Sequence, residues 1–160
     1  MKRIRLKKAY ITGLVLTVFL GLAGCSQETN EKVEGNLTDI MEEVYAGFSE
    51  DELPMFLENM EVTDDNAEMF LGTSDIEYKE ALARESMTSS IAHSVVLVRM
   101  NDEASVEAAK EKIKENINPQ KWICVGVEHV IVESRGDLII VILDDDKGTE
   151  LLKNFQNIGK

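Results

Sequence analysis

Residues 94–117 read SVVLVRMNDEASVEAAKEKIKENI, and this stretch decides the fold. Ser94–Met100 is β-branched and apolar, which suits a strand. The period then changes. Asn101 or Asp102 supplies a cap, and Val106, Ala109, Ile113 and Ile117 recur three or four residues apart, the spacing of one helix face. Glu107, Lys110, Glu111, Lys114 and Glu115 fill the other face. Asn118-Pro119 stops the helix, because proline lacks an N–H and biases its predecessor away from helical backbone.

A second round of the same pattern follows. Val125–Ser134 alternates as a strand, and Arg135-Gly136 supplies a turn. Leu138–Leu143 (LIIVIL) is apolar throughout, as expected of a central strand covered on more than one side. Asp144-Asp145-Asp146 then places negative charge at the start of a last helix carrying Leu151, Leu152 and Phe155. The two rounds read ββα and ββα, although the apolar positions of their helices do not superimpose without a gap.

Upstream, Leu37, Ile40, Met41, Val44, Tyr45 and Phe48 mark a helix, which Ser49–Pro54 breaks. A short apolar patch follows at Met55, Phe56 and Leu57. Thr63 and Asp64 look like caps for a short helix through Met69–Leu71, closed by Gly72. Ile76–Met87 reads two ways: Ile76, Tyr78 and Leu82 fit strand alternation, whereas Glu80 and Arg84 would suit a helical i, i+4 pair. The strand reading is preferred. Together these elements predict an α+β fold, a two-layer sandwich of a mainly antiparallel sheet with helices packed on one face.

The amino end carries a different signal. Lys2, Arg3, Arg5, Lys7 and Lys8 precede an apolar run, Ala9–Leu20. At ~1.5 Å per residue that run spans about 18 Å as a helix, too short for a bilayer core ~30 Å thick. It reads as a secretory leader over residues 1–24, with the positive charge held on the cytoplasmic side. Leu22-Ala23-Gly24-Cys25 closes it with small residues before a thiol, the pattern of a lipobox. Cys25 is the expected lipidation site, residues 25–35 the expected flexible tether, and residues 36–160 a single domain. Two or more acyl chains on Cys25 would hold the chain stably at the extracytoplasmic face of a membrane, where one chain gives only marginal binding.

Composition narrows the partners. The leader holds five of the 17 basic residues and none of the 30 acidic ones, so the mature chain would carry a charge of −18. Such a surface disfavours nucleic acid and anionic lipid headgroups. With Cys25 committed to lipid, Cys124 stands alone and no internal disulfide can form. Its setting in Trp122-Ile123-Cys124-Val125 suggests a buried structural thiol.

Catalytic and metal motifs are missing: G-x-S-x-G, G-x-x-x-x-G-K-[ST], H-E-x-x-H and C-x-x-C do not occur. Asp144-Asp145-Asp146-Lys147-Gly148 invites a calcium reading but fails the EF-hand count, with Gly148 at position 5 and Thr149 at position 6. His93 and His129 fall on expected strands and could approach each other near Cys124, yet no spacing demands a metal. Ser94, His93 and an aspartate can be assembled into a triad on paper, without a strained nucleophile turn to support it. Arg135-Gly136-Asp137 spells a tripeptide used by adhesion ligands and falls at an expected exposed hairpin tip, where glycine serves the turn. No catalytic residue, metal site or cofactor is therefore expected.

The order of segments resembles a family of small Gram-positive lipoproteins that carry an uncharacterised domain of unknown function. The resemblance lies in LAGC (22–25), EVTDDNAEMFLGTSD (61–75), VVLVRMNDEASVEAAKEKI (95–113) and HVIVESRGDLIIVILDDD (129–146), and covers most of the mature chain. The link from the central helix to the next strand, through Asn118-Pro119, is short beside that pattern. The resemblance implies a secreted, anchored α+β domain and brings no catalytic residue with it. The expected function is that of a lipid-anchored, non-enzymatic accessory or binding domain, with an envelope protein or peptide as partner. The alternatives are a cell-envelope enzyme and a cation-binding module.

Overall fold

A computed structural model describes residues 32–160; the leader, the lipobox and Cys25 lie outside the described residues. The elements run α1 (Leu37–Val44), β1 (Leu57–Glu61), α2 (Ala67–Leu71), β2 (Tyr78–Ser86), β3 (Ser94–Met100), a 3₁₀ turn (Glu103–Ser105), α3 (Val106–Asn116), β4 (Val130–Arg135), β5 (Leu138–Leu143) and α4 (Gly148–Asn157). The five strands form one sheet in the order β1-β2-β3-β5-β4. Every neighbouring pair is antiparallel. The expected α+β sandwich on an antiparallel sheet is what the chain forms.

The helices, expected on one face, cover both. β3 and β5 lie inside the sheet and are buried along their whole length. Because side chains alternate across a strand, Val95, Leu97, Leu138, Ile140 and Ile142 pack with α1 and α4. Val96, Val98, Ile139, Val141 and Leu143 pack with α2 and α3 on the other side. An all-apolar central strand needs cover on two faces, and each fully buried Ile, Leu or Phe is worth roughly 1.5–3 kcal/mol.

Local chemistry sets the element ends. Asn36 caps α1 by accepting from the Asp39 N–H at 2.9 Å, which satisfies one of the orphan donors of the first turn. Asp102 does the same for the 3₁₀ turn, accepting from Ser105 N. The short helix α2 starts later than Thr63 and Asp64 suggested: Asn66 is its N-cap residue, and the Asn66 side chain instead accepts from Thr63 N. Gly72 ends α2 at φ 75°, a left-handed position that favours glycine.

Three sequence expectations shift. β1 starts at Leu57, the last residue of the expected apolar patch, and runs on through residues for which no element was expected. β4 begins at Val130, so 117–129 is a long loop and the link after α3 is not short. Lys32–Gly35, assigned to the tether, is seated on the domain. Val33 is buried with α1 and α4. The Arg99 guanidinium donates to Val33 O and Gly35 O, both at 2.9 Å, and to Asp137 Oδ1 at 3.3 Å. Lys32 pairs with Asp137 at 3.3 Å. Arg99, the one charged residue of β3, is thus the clamp that fixes where the chain enters the domain.

The registers sort the loops into two ends. Ser94 pairs with Leu143 and with Glu85, and Val130 also pairs with Leu143. The loops 45–56, 87–93, 117–129 and 144–147 therefore gather at one end. Arg99 pairs with Leu138, so the chain entry and the β4–β5 turn lie at the other. Five residue steps at ~3.4 Å separate the ends by about 17 Å.

Candidate functional site

The loop end holds two buried polar sets and two cavities. His93 is fully buried just before β3. Its Nδ1 lies 2.6 Å from Asp144 Oδ2, and its Nε2 lies 2.6 Å from the Tyr45 hydroxyl. An ionised carboxylate only accepts, so Nδ1 donates to Asp144, while Nε2 is hydrogen-bonded to the Tyr45 hydroxyl. Burial pushes the Asp144 carboxyl upward, but the hydrogen bonds from His93 and from Lys147 N outweigh it and hold Asp144 below the usual carboxylate range. Burial, the largest influence on Tyr45, drives its phenol well above the usual range. Arg84 lies over the Tyr45 ring, 4.8 Å from its centroid.

This chain of groups has the aspartate–histidine half of a catalytic triad. Tyr45 stands where a nucleophile would, and it is buried and held protonated. Ser94 is not the partner of His93; its Oγ accepts from Lys121 Nζ at 3.0 Å. The set ties α1 to β3 and to the start of α4, with each polar atom at the histidine satisfied.

The second set is Lys121 and Glu85, joined at 2.6 Å with side chains only 5% and 4% exposed. The ammonium lies 4.9 Å from the Phe70 ring centroid and 5.1 Å from that of Trp122. Burial lowers the Lys121 pKa, and Glu85 opposes that shift. Neither residue stood out in the sequence, because Glu85 sits in the segment of mixed pattern and Lys121 in a segment read as linker.

The larger cavity, about 530 Å³, is lined by Glu52, Leu53, Pro54, Ile91, Val127 and the run Asp144–Lys147, among others. Its carboxylates differ in how they are used. Asp144 is spent on His93 and on Lys147 N. Asp145 accepts from Glu128 N, His129 N and His129 Nδ1, and these bonds, led by the one from Glu128, lower its pKa. Ser49 holds Glu52 in the same sense. Asp144 thus braces the turn that leads into α4, and Asp145 ties the 117–129 loop to it. Among the described residues, no group of three or more His, Cys, Asp or Glu is placed to hold a metal ion.

The smaller cavity, about 250 Å³, is apolar, lined by Met60, Met69, Met87, Trp122 and Ile123 with the Lys121–Glu85 pair at its side. Trp122 Nε1 is buried without a hydrogen-bond partner. Next to this cavity Met87 N donates to Phe56 O at 2.9 Å, and Ser86 Oγ donates to Met55 O. Met55, Phe56, Met87 and Ile123 are exposed. Phe56 has φ 58°, a left-handed backbone that costs a bulky side chain of order 1–3 kcal/mol and recurs at functional surfaces.

The other residues singled out in the sequence land apart. His129 is exposed and bonded to Asp145, so the two histidines engage neighbouring aspartates instead of meeting. Cys124 is exposed, not buried; it lies in the 117–129 loop, which turns Ile117 and Val127 into the core and leaves Cys124 outside it. The Arg135-Gly136-Asp137 tip does not present its charges. Arg135 is buried and donates to Phe155 O and Ile158 O at the end of α4, while Asp137 is buried against Arg99 and Lys32. A receptor would find neither side chain free. No helix among the described residues is long and apolar enough to cross a membrane. No protein-family model, no curated protein and no solved structure matches this chain.

Proposed function

We propose that this chain is a lipoprotein held by an acylated Cys25 at the extracytoplasmic face of a membrane, where it acts as a non-enzymatic accessory or binding domain for an envelope protein or peptide. One observation carries the reading: the chain enters the domain at Lys32–Gly35, clamped by Arg99, at the end of the sheet opposite the open loop surface. An anchor just upstream would tether the domain by one end and leave the cavities and exposed apolar side chains at the other, about 17 Å away along the strands at ~3.4 Å per residue. The sequence of the leader and lipobox, and the resemblance to small Gram-positive lipoproteins, point the same way. A binding role is further supported by the state of the triad-like set, whose Tyr45, His93 and Asp144 are buried and committed to one another.

The test is crosslinking in intact cells followed by mass spectrometry, comparing the native protein with Cys25→Ala. The expected result is a defined partner crosslinked to the native protein and lost when the anchor is removed. Membrane attachment that survives Cys25→Ala would contradict the anchor.

A further inference from the structure

The loop end is a composite surface, and its parts are contiguous. Loop 45–56 supplies Glu52 to the acidic cavity and Phe56 to the exposed apolar surface. Loop 87–93 supplies Ile91 to the first and Met87 to the second, and loop 117–129 supplies Val127 and Ile123. The same three loops thus line both halves.

Exposed large apolar side chains mark contact sites when they gather beside a polar rim. Four of the five on the described residues, Met55, Phe56, Met87 and Ile123, belong to this end, and the fifth, Met69, borders the same apolar cavity. Methionine suits a surface that adapts to its partner, since it is unbranched and polarisable. Phe56 is held outward on a left-handed backbone, a conformation that a phenylalanine serving only as surface has no reason to keep.

Charge selects the occupant. Asp145 and Asp146 are exposed in the wall of the acidic cavity, with exposed Glu50, Asp51 and Glu52 on the adjoining loop. Against them stand Lys147 and His129, while Lys121 is already neutralised by Glu85. A second copy of this chain would bring the same carboxylates and a net charge of −13 over the whole sequence against its own kind. An anionic lipid surface fails for the same reason. A segment with basic side chains on one side and apolar ones on the other meets both halves at once.

We infer that the loop end docks a cationic, amphipathic polypeptide segment of a partner protein, its apolar side chains on Phe56, Met87 and Ile123 and its basic side chains in the cavity beside Asp146 and the exposed carboxylates of Glu50 and Asp51. The inference rests on the binding role proposed above and names the chemistry of that partner.

The test places the photo-crosslinking residue benzoylphenylalanine at Phe56 and, in a second variant, at Ile123, in the full chain in intact cells. Ile123 is 87% exposed, so the second position does not depend on the strained backbone of the first. Glu111 on α3 serves as the control position. The expected result is one protein crosslinked from both positions and not from Glu111, through a segment of net positive charge that carries apolar residues. Asp146→Lys with Asp51→Lys should lower the yield several-fold, and Glu77→Lys, next to the start of β2, should leave it unchanged. A crosslinked segment that is neutral or acidic, a second copy of this chain, a lipid or small-molecule adduct, insensitivity to the charge reversals, or no adduct at either position would each overturn the inference. Membrane attachment of each variant is scored alongside with Cys25→Ala, so a lost anchor and an empty loop end give separate results.

Discussion

At the scale of single residues, the loop end buries two polar sets. Lys121 and Glu85 are both nearly inaccessible, so removing one leaves the other charged and unpaired. Lys121→Met should destabilise the fold by about 3–5 kcal/mol, and Lys121→Met combined with Glu85→Leu should recover most of that loss, as read from chemical denaturation. A loss in the double variant equal to the sum of the losses of Lys121→Met and Glu85→Leu alone would show that the pair is not coupled.

The His93 set makes a pH prediction. The Asp144 carboxyl is depressed in the folded state, so the unfolded chain binds its proton first as pH falls. Its contribution to stability is therefore present above the ordinary aspartate pKa of about 3.9 and is lost as pH falls through the lower folded value. Tyr45 is raised instead; its contribution is present below about pH 10 and fades as pH rises further, because only the unfolded phenol ionises there. Melting temperature followed against pH should show both limbs. Asp144→Asn should flatten the acid one and Tyr45→Phe the alkaline one.

At the scale of elements, the contact between α2 and α3 is tight. A Cβ on Gly72 would lie 2.3 Å from the Asn116 carbonyl carbon. Gly47, also at positive φ, has open space around it. Both Gly→Ala changes incur the left-handed strain of roughly 1–2 kcal/mol. Gly72→Ala should cost clearly more than Gly47→Ala, and the difference in unfolding free energy isolates the packing of α2 on α3. Legibility in the sequence followed physical strength here. β3, α3 and β5 were readable because each has one clean period. β1 was not: Leu57–Glu61 (LENME) is a half-exposed edge strand that contains two glutamates and an asparagine, so its pairing with β2 leaves little apolar pattern. β4 was read too long because Val125 and Val127 continue its alternation by chance, while the backbone there turns, with Val127 N donating to Pro119 O.

For the whole molecule, what was legible was the class of fold, and what was hidden was every long-range pairing. LIIVIL announced a strand covered on more than one side, yet only the tertiary arrangement shows α1 with α4 on one face and α2 with α3 on the other. His93 and Asp144 stand 51 residues apart and Lys121 and Glu85 36 apart, so no local spacing could announce them. Arg99 holds the segment Val33–Gly35 against the domain. Arg99→Met should free Val33 and Gly35 and speed proteolytic cleavage after Lys32, while the β3–β5 core stays protected from hydrogen exchange. Unchanged cleavage would mean that the buried Val33 side chain holds the segment by itself.

We propose that the molecule hangs from an acylated Cys25 with its loop end outward. The most direct test is the mass of the amino-terminal peptide of the mature protein isolated from membranes. This peptide is expected to begin at Cys25 and to carry a diacylglyceryl thioether. A peptide that begins at another residue, or an unmodified Cys25, would contradict it.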